Sequence, residues 1–406
     1  MGGQVKLVLM LFLAMVIMGI DRSSIGVAAP IMMKELNMDT GSMGIILSAF
    51  FWTYALCNLP AGNLADRFGA KRILNGAVAI WSLASAATGC GHNLITIMAA
   101  RMGVGVGEAG VFPANTKIVA EEFPTNKRGT VTGLYLSGAR LGYAITPLLM
   151  GWLISLYSWR MAFIITGLGS LLWCVAWAFL YRKDERKERQ DTAEKETVQK
   201  VAIPWLKLLT NRCALGLFFT KFASDYLYYM FLTWVPSYLV MERGFSLFKM
   251  GVSASIPFLA AFIIQPVAGY ASDFLIRKGF GVTFARKGIL VLAQLCGASI
   301  MAVNFVDDPV IVVAILTLNI AAGSTIGGML FTLATEVAPA GMTGTVAGSM
   351  NTIGALAGIL APVLTGFVVK ATGSFQLALM SSGSLLLLAV CAVLFVIPAV
   401  KPMSLK

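Results

Sequence analysis

Apolar residues run in long stretches along most of the chain, separated by short polar turns. Each stretch is about 20 residues, enough at the helical rise to cross a hydrocarbon layer of roughly 30 Å. They fall near 5–29, 42–64, 73–91, 94–119, 130–152, 159–181, 213–240, 250–274, 287–306, 309–333, 343–369 and 375–398. The pattern predicts an all-α integral membrane protein of twelve transmembrane helices, because helices satisfy their own backbone groups where water is absent.

One interruption is longer than the rest. YRKDERKERQDTAEKETVQK, residues 181–200, is charged throughout and has almost nothing to bury. It predicts a division into a six-helix bundle over 1–181, a cytoplasmic linker over 182–207 and a second six-helix bundle over 208–406. With the amino terminus inside, about twenty Lys and Arg fall in or beside cytoplasmic segments and about five in external ones, so both termini are expected to be cytoplasmic. Trp152 and Trp159 suit the interfacial aromatic belt.

Composition agrees: of 406 residues 58% are hydrophobic and only 12% charged, far from a soluble globular chain. The net charge of +12 therefore follows the loops and does not point to nucleic acid. Six scattered cysteines and one histidine, His92, leave no disulfide framework and no metal site. Carboxylates must carry any proton chemistry. No nucleophile and base constellation suggests an enzyme.

Charges inside the apolar stretches change the picture most, since an ionisable group at mid-membrane costs on the order of 3 kcal/mol and reads as functional by default. Asp21 and Arg22 lie about 22 Å along the first span, pointing about 100° apart and so toward different neighbours. In RMGVGVGEAGVFPANTKIVAEEFP, Arg101 and Glu108 are about two helical turns apart on one face. Gly103, Gly105, Gly107 and Gly110 strip bulk from that segment, as close-packed membrane helices require. Arg140 sits near mid-membrane in the fifth span. The first half thus holds three deep arginines against two acids, a surplus suited to an anion. In the seventh span Lys221 and Asp225, at i and i+4, either neutralise each other or work on substrate or protons. Tyr54 could line a path or pack in the core. Gln265, Ser324, Thr325 and Asn351 are the uncharged polar residues of the second half expected to reach a cavity.

The turn GNLADRFGAKR carries Gly62, Asp66, Arg67, Gly69, Lys71 and Arg72, and resembles the signature loop of the major facilitator superfamily, G-x-x-x-D-R-x-G-[RK]-[RK]. A weaker copy, GYASDFLIRK with Asp273 and Arg277, stands half a chain later. RGTVTGLYLSGARLGYAITPLLMGW from Arg128 also aligns with TGTVAGSMNTIGALAGILAPVLTGF from Thr343, and at the same offset Glu121 and Pro124 meet Glu336 and Pro339. Two parallel repeats of this kind place a substrate site near the membrane midplane.

GVGEAGVFPAN, EEFP, the GIDR of the first span and LTWVPSYL of the seventh resemble the anion:cation symporter family of that superfamily, which includes bacterial sugar-acid transporters, vesicular glutamate transporters and sialin. The resemblance implies proton-driven uptake of an organic anion without a cofactor, the proton being the coupling ion. It implies that Asp21 and Glu108 handle protons, that Arg101 is the charge partner supporting Glu108, and that Arg22 and Tyr54 contact substrate. Arg140 is a second candidate anchor, and the Asp66, Arg67, Lys71, Arg72, Asp273 and Arg277 loops are conformational. Ala139 and Arg140 stand where sugar-acid members tend to carry an amide, which counts against a polyhydroxylated sugar acid and turns the expectation toward a smaller or more strongly anionic substrate; the class expected overall is a small organic anion, whether carboxylate, sugar acid or sulfonate. The expected setting is a monomer in the lipid bilayer of a bacterial inner membrane. The rivals are a drug or cation:proton antiporter, an organic-anion exchanger and a non-transporting nutrient sensor. Against the antiporter stand the excess of deep arginines and the lack of G-x-x-x-G-P-x-x-G-G in the fifth span; against the sensor, the absence of a signalling domain.

Overall fold

The computed structural model describes residues 2–180, 205–339 and 342–403. Helices account for nearly all of them, and among the described residues there is no strand, as backbone chemistry in lipid demands. The first seven are α1 (Gly2–Glu35), α2 (Thr40–Phe68), α3 (Ala70–Gly89), α4 (Leu94–Glu108), α5 (Val111–Glu122), α6 (Thr125–Leu156) and α7 (Trp159–Leu180). After the short α8 (Trp205–Thr210) come α9 (Arg212–Met241), α10 (Leu247–Arg277), α11 (Val282–Ala298), α12 (Pro309–Val337), α13 (Thr343–Thr372) and α14 (Gln376–Cys391). A 3₁₀ turn over Ser299–Phe305 prolongs α11, and a π turn over Ala392–Val396 prolongs α14. The expected linker over 182–207 lies outside the described residues as far as 204, and its end enters α8.

Ten of the described segments are long and apolar enough to cross a membrane. The 20-residue α3 and the 30-residue α9 bring the count to the expected twelve. Large side chains such as Leu172, 72% exposed, and Phe179, 73% exposed, face outward from α7. In water they would form a sticky patch; against acyl chains they are at home.

Local sequence explains the ends. Asn93 caps α4 by accepting from Thr96 N–H, while the Thr96 hydroxyl accepts from Asn93 N–H. Asp308 caps α12 ahead of Pro309, accepting from Val310 N–H at 2.7 Å. Two boundaries differ from the apolar pattern. The fourth stretch is broken at Ala109–Gly110 into α4 and α5, because Pro113 has no N–H to give to the Ala109 carbonyl. The first stretch, by contrast, runs straight through Pro30 to Glu35; a buried span tolerates the loss of one backbone bond. Trp159 also departs from expectation. It is wholly buried and donates to Oε2 of Glu35, an exposed carboxylate at the end of α1, at 2.7 Å.

The chain divides into two compact units, Met1–Met38 with Ile45–Lys200, and Asp39–Gly44 with Val201–Lys406. In the first, α1 packs along α6, and α3 packs on α4 and α7; in the second, α9 packs along α13, and α11 packs on α12 and α14. The repeated sequence folds into a repeated arrangement. The α1–α6 approach is close: a Cβ on Gly142 would lie 2.9 Å from Gly19 Cα, and one on Gly19 would lie 2.6 Å from the Ala139 carbonyl oxygen. Within the second unit Lys370 reaches Asp39 at 2.8 Å and Ser42 N–H donates to the same carboxylate at 2.8 Å. These hold the Asp39 carboxyl below its usual range, at about 2, the Lys370 contact contributing most.

Gly142→Val should cost about 1–3 kcal/mol by overpacking, seen as a lower thermal unfolding midpoint in detergent; an unchanged midpoint would mean the helices can part freely there. Because the folded Asp39 pKa is depressed, its contribution is complete above an ordinary value of about 4 and is lost as pH falls toward 2. The parent should therefore lose a larger increment of stability across that window than Lys370→Met, in which only the Ser42 donor remains, and superimposable acid profiles would count against it.

Candidate functional site

Four ionisable residues gather inside the first unit. Asp21 and Arg22 come from the middle of α1, Arg101 and Glu108 from α4, and all four are buried, Asp21 and Glu108 completely. As their adjacency requires, Asp21 and Arg22 turn to different neighbours. Asp21 faces α3, where Trp81 Nε1 donates to Oδ2 and the Ser85 hydroxyl donates to Oδ1, both at 2.9 Å. Arg22 faces α4 and donates to Glu108 Oε2 through Nε at 2.9 Å and Nη2 at 2.6 Å.

The resemblance implied Arg101 as the charge partner of Glu108; the hydrogen bonds on Glu108 come from Arg22. Arg101 Nη1 lies 3.5 Å from the Asp21 backbone oxygen, at the limit of a hydrogen bond, and its Nε has no hydrogen-bond partner among the described residues. Residues about two turns apart on one straight helix are held near 10 Å from each other, whereas a neighbouring helix can bring a guanidinium into contact. Glu108 Oε1 likewise lacks a hydrogen-bond partner among the described residues.

Aromatic faces complete the site. The Arg22 guanidinium lies 4.7 Å from the Phe50 ring centre and 5.0 Å from that of Tyr54, and these two rings stack on α2 with centroids 5.4 Å apart. Arg101 lies 5.8 Å from the same Phe50 ring. Such contacts hold a cation while leaving its N–H edge for an anion. Two glycines set this geometry: a side chain at Gly105 would strike the Phe50 carbonyl, and a Cβ at Gly107 would lie 2.6 Å from Trp81 N. Arg140, the other deep arginine, is partly buried midway along α6.

A profile of the Major Facilitator Superfamily matches residues 11–362. The chain belongs to the major facilitator superfamily. This transporter is 32% identical to a probable galactarate/D-glucarate transporter of Bacillus subtilis strain 168, over 98% of the chain and 93% of that protein. It is 31% identical to a D-galactonate transporter of Escherichia coli O6:H1, over 90% of the chain and 89% of that protein. Both relatives lie within the group that the sequence resembles. Among solved structures, a bacterial homolog of the human lysosomal transporter Spinster superposes with a TM-score of 0.81, covering 98% of this chain and 97% of that one at 17% identity, a likeness of fold. The transporter is a multi-pass membrane protein and not an enzyme.

The second unit holds the uncharged residues expected to reach a cavity. Gln265 is partly buried on α10 and Asn351 exposed on α13. Ser324 and Thr325 are buried on α12; the Thr325 hydroxyl donates to Ala321 in its own helix at 3.0 Å. In the signature loop Lys71 pairs with Glu122 at 2.7 Å, Arg67 lies over the Phe68 ring at 5.4 Å and Arg72 is exposed; the Asp66 side chain lies outside the described residues. In the second copy Arg277 lies over the Tyr270 ring at 5.0 Å, while Asp273 accepts from Arg286 Nη1 at 2.7 Å. Arg286 Nε also donates to Glu336 at 2.9 Å.

Sequence reasoning missed Arg286, Trp81, Ser85 and Phe50 as partners. Only Glu336 carried a signal, through its repeat alignment with Glu121. Trp81→Phe should cost about 1–3 kcal/mol by leaving a buried carboxylate oxygen without its donor, read as a lower unfolding midpoint. No change would show that Asp21 does not depend on that bond.

Proposed function

We propose that this transporter is a proton-coupled symporter that imports a small organic anion by alternating access. The observation that carries the reading is the buried Arg22–Glu108 pair, with Asp21 and Arg101 beside it. With both acids ionised the four charges cancel. Each proton taken up by Glu108 or Asp21 adds one positive charge to the site, and a neutral Glu108 no longer holds the Arg22 fork. A carboxylate or sulfonate can then take the place of Glu108 on Arg22, with the Phe50 and Tyr54 faces keeping the guanidinium partly dehydrated. Return of the proton to water restores the internal pair and expels the anion. Proton and anion thus move together because they compete, in opposite senses, for one guanidinium.

The relatives named for galactarate, D-glucarate and D-galactonate support a sugar acid or a similar organic anion as substrate. The positive loops support a bacterial cytoplasmic membrane setting with both termini inside.

Proteoliposomes offered D-glucarate or D-galactonate under an imposed pH gradient test this. The parent should accumulate at least one of them against its gradient. Glu108→Gln should lose the response to the pH gradient, and Arg22→Ala should lose uptake by tenfold or more. Uptake in the parent that ignores the pH gradient, or unimpaired uptake in Arg22→Ala, would overturn it.

A further inference from the structure

Several cations of the second unit are answered by acids: Lys221 by Asp225 at 2.6 Å, and Arg286 by Asp273 and Glu336 at 2.7 and 2.9 Å. Among the described residues Arg212 and Lys287 are answered only by backbone carbonyls. Arg212, exposed at the start of α9, donates through Nη2 to the Phe395 carbonyl. Lys287, partly buried on α11, donates through Nζ to the Ile397 carbonyl at 2.7 Å. A guanidinium has five N–H donors and an ammonium three, so both cations cap the π turn that ends α14 with donors to spare. The carbonyls they meet are two residues apart, which keeps the two cations together at one end of the unit. Beyond them Val400 N–H donates to the Thr283 hydroxyl at 2.9 Å, about one turn before Lys287, and brings the exposed Lys401 to the same end.

An apolar cleft adjoins these charges. Ile397 N–H donates to the Ala392 carbonyl at 3.0 Å, the bond that closes the π turn. α9 approaches this turn at Gly216, where a Cβ would lie 2.6 Å from Ile397 Cγ1. Between the two elements lies a space of about 530 Å³ lined by apolar side chains, among them Leu215, Phe219, Leu388, Cys391 and Phe395. Leu388 is 58% exposed and Phe395 70% exposed, so the cleft opens on the outer surface of the unit. Its depth follows from helix length. The 30 residues of α9 extend about 45 Å, against a hydrocarbon layer of roughly 30 Å. Arg212 in the first turn therefore belongs at headgroup level, while Leu215 and Phe219, about 5 and 10 Å further along, lead toward the acyl chains.

We propose that this cleft binds one anionic phospholipid, with its phosphate on Arg212 and Lys287 and the upper part of one acyl chain between Leu215, Phe219, Leu388 and Phe395. Charge selects the headgroup. Basic groups near a membrane surface attract anionic lipids, whereas a zwitterionic lipid of the same chains brings an ammonium toward the cations. The apolar lining selects a lipid over a free phosphate, which would meet the cations and leave the cleft unfilled. A lipid seated there joins α9, α11 and the end of α14 through its phosphate and its chain. The site lies wholly in the second unit and does not depend on which anion is transported.

The full chain, purified in a neutral detergent and stripped of lipid, is titrated with dioleoylphosphatidylglycerol, dioleoylphosphatidylcholine or glycerol phosphate. Native mass spectrometry counts bound lipid, and the thermal unfolding midpoint is followed beside it. The parent should hold its tightest phosphatidylglycerol about tenfold more strongly than phosphatidylcholine, and its midpoint should rise with the former by mass action. Glycerol phosphate at the same concentration should leave the midpoint unchanged. Arg212→Gln with Lys287→Gln should lose this tightest phosphatidylglycerol. The comparison separates binding from capping, because loss of the two caps lowers the midpoint under every lipid, whereas only loss of a phosphate site removes the difference between headgroups. Should that variant fail to fold, Leu388→Trp puts bulk in the cleft while leaving both cations, and should weaken the same lipid about tenfold.

Equal retention of the two phospholipids by the parent, survival of the tightest phosphatidylglycerol in the double variant, or its undiminished binding in Leu388→Trp would overturn the inference. So would the same stabilisation by glycerol phosphate alone, which would make this a site for soluble phosphates. Retention of neither phospholipid would assign the cleft to another occupant and overturn it as well.

Discussion

A charge inside a membrane protein must be answered by another charge or a dipole of the same protein, because neither lipid nor bulk water will answer it. That constraint organises both units. In the first, Arg22 is answered by Glu108 and Asp21 by the Trp81 and Ser85 donors. In the second, Lys221 is answered by Asp225, and Arg286 by Asp273 and Glu336. An arrangement closed in this way is stable only while its partners stay ionised. The same balance that permits burial therefore makes the site sensitive to a proton or an outside anion.

Helix packing decides which charges meet. Apolar side chains have little reason to leave lipid for one another, so close approach depends on small residues. Gly105 and Gly107 bring α4 against α2 and α3. The first approach supplies the aromatic faces over Arg22, and the second draws in the helix whose Trp81 and Ser85 hold Asp21. Gly354 has the equivalent part in the second unit, giving the Asp225 carboxylate room against α13. Adding bulk at these glycines would move charged partners as well as helices, so packing and electrostatics there are one design.

Much of this was legible along the chain. Runs of about 20 apolar residues give helices for a physical reason that allows little else in lipid, and the aligned Gly–Thr–Val and Glu–Pro positions announced the repeated arrangement. The deep ionisable residues stood out because the chain spends so few charges. The ends of elements were less legible: the α4–α5 break depends on one missing proline N–H, yet Pro30 interrupts nothing. The same residue type has opposite outcomes because neighbouring helices, and not its own sequence, decide whether a lost bond is tolerated.

Apolar run lengths, the internal repeat and the placing of a few charges were enough to establish a helical bundle in a membrane, built twice over, with Asp21, Arg22, Arg101 and Glu108 as its costly residues. The sequence could also place Lys221 within reach of Asp225, since i and i+4 on one helix are neighbours in any fold. It took the packed helices to show that Glu108 is bonded by Arg22 rather than by Arg101, that Trp81 and Ser85 serve Asp21, and that Arg286 joins Asp273 to Glu336. Spacing fixes partners within a helix through its rise and turn, whereas partners on different helices are fixed by the distance and rotation at which those helices pack.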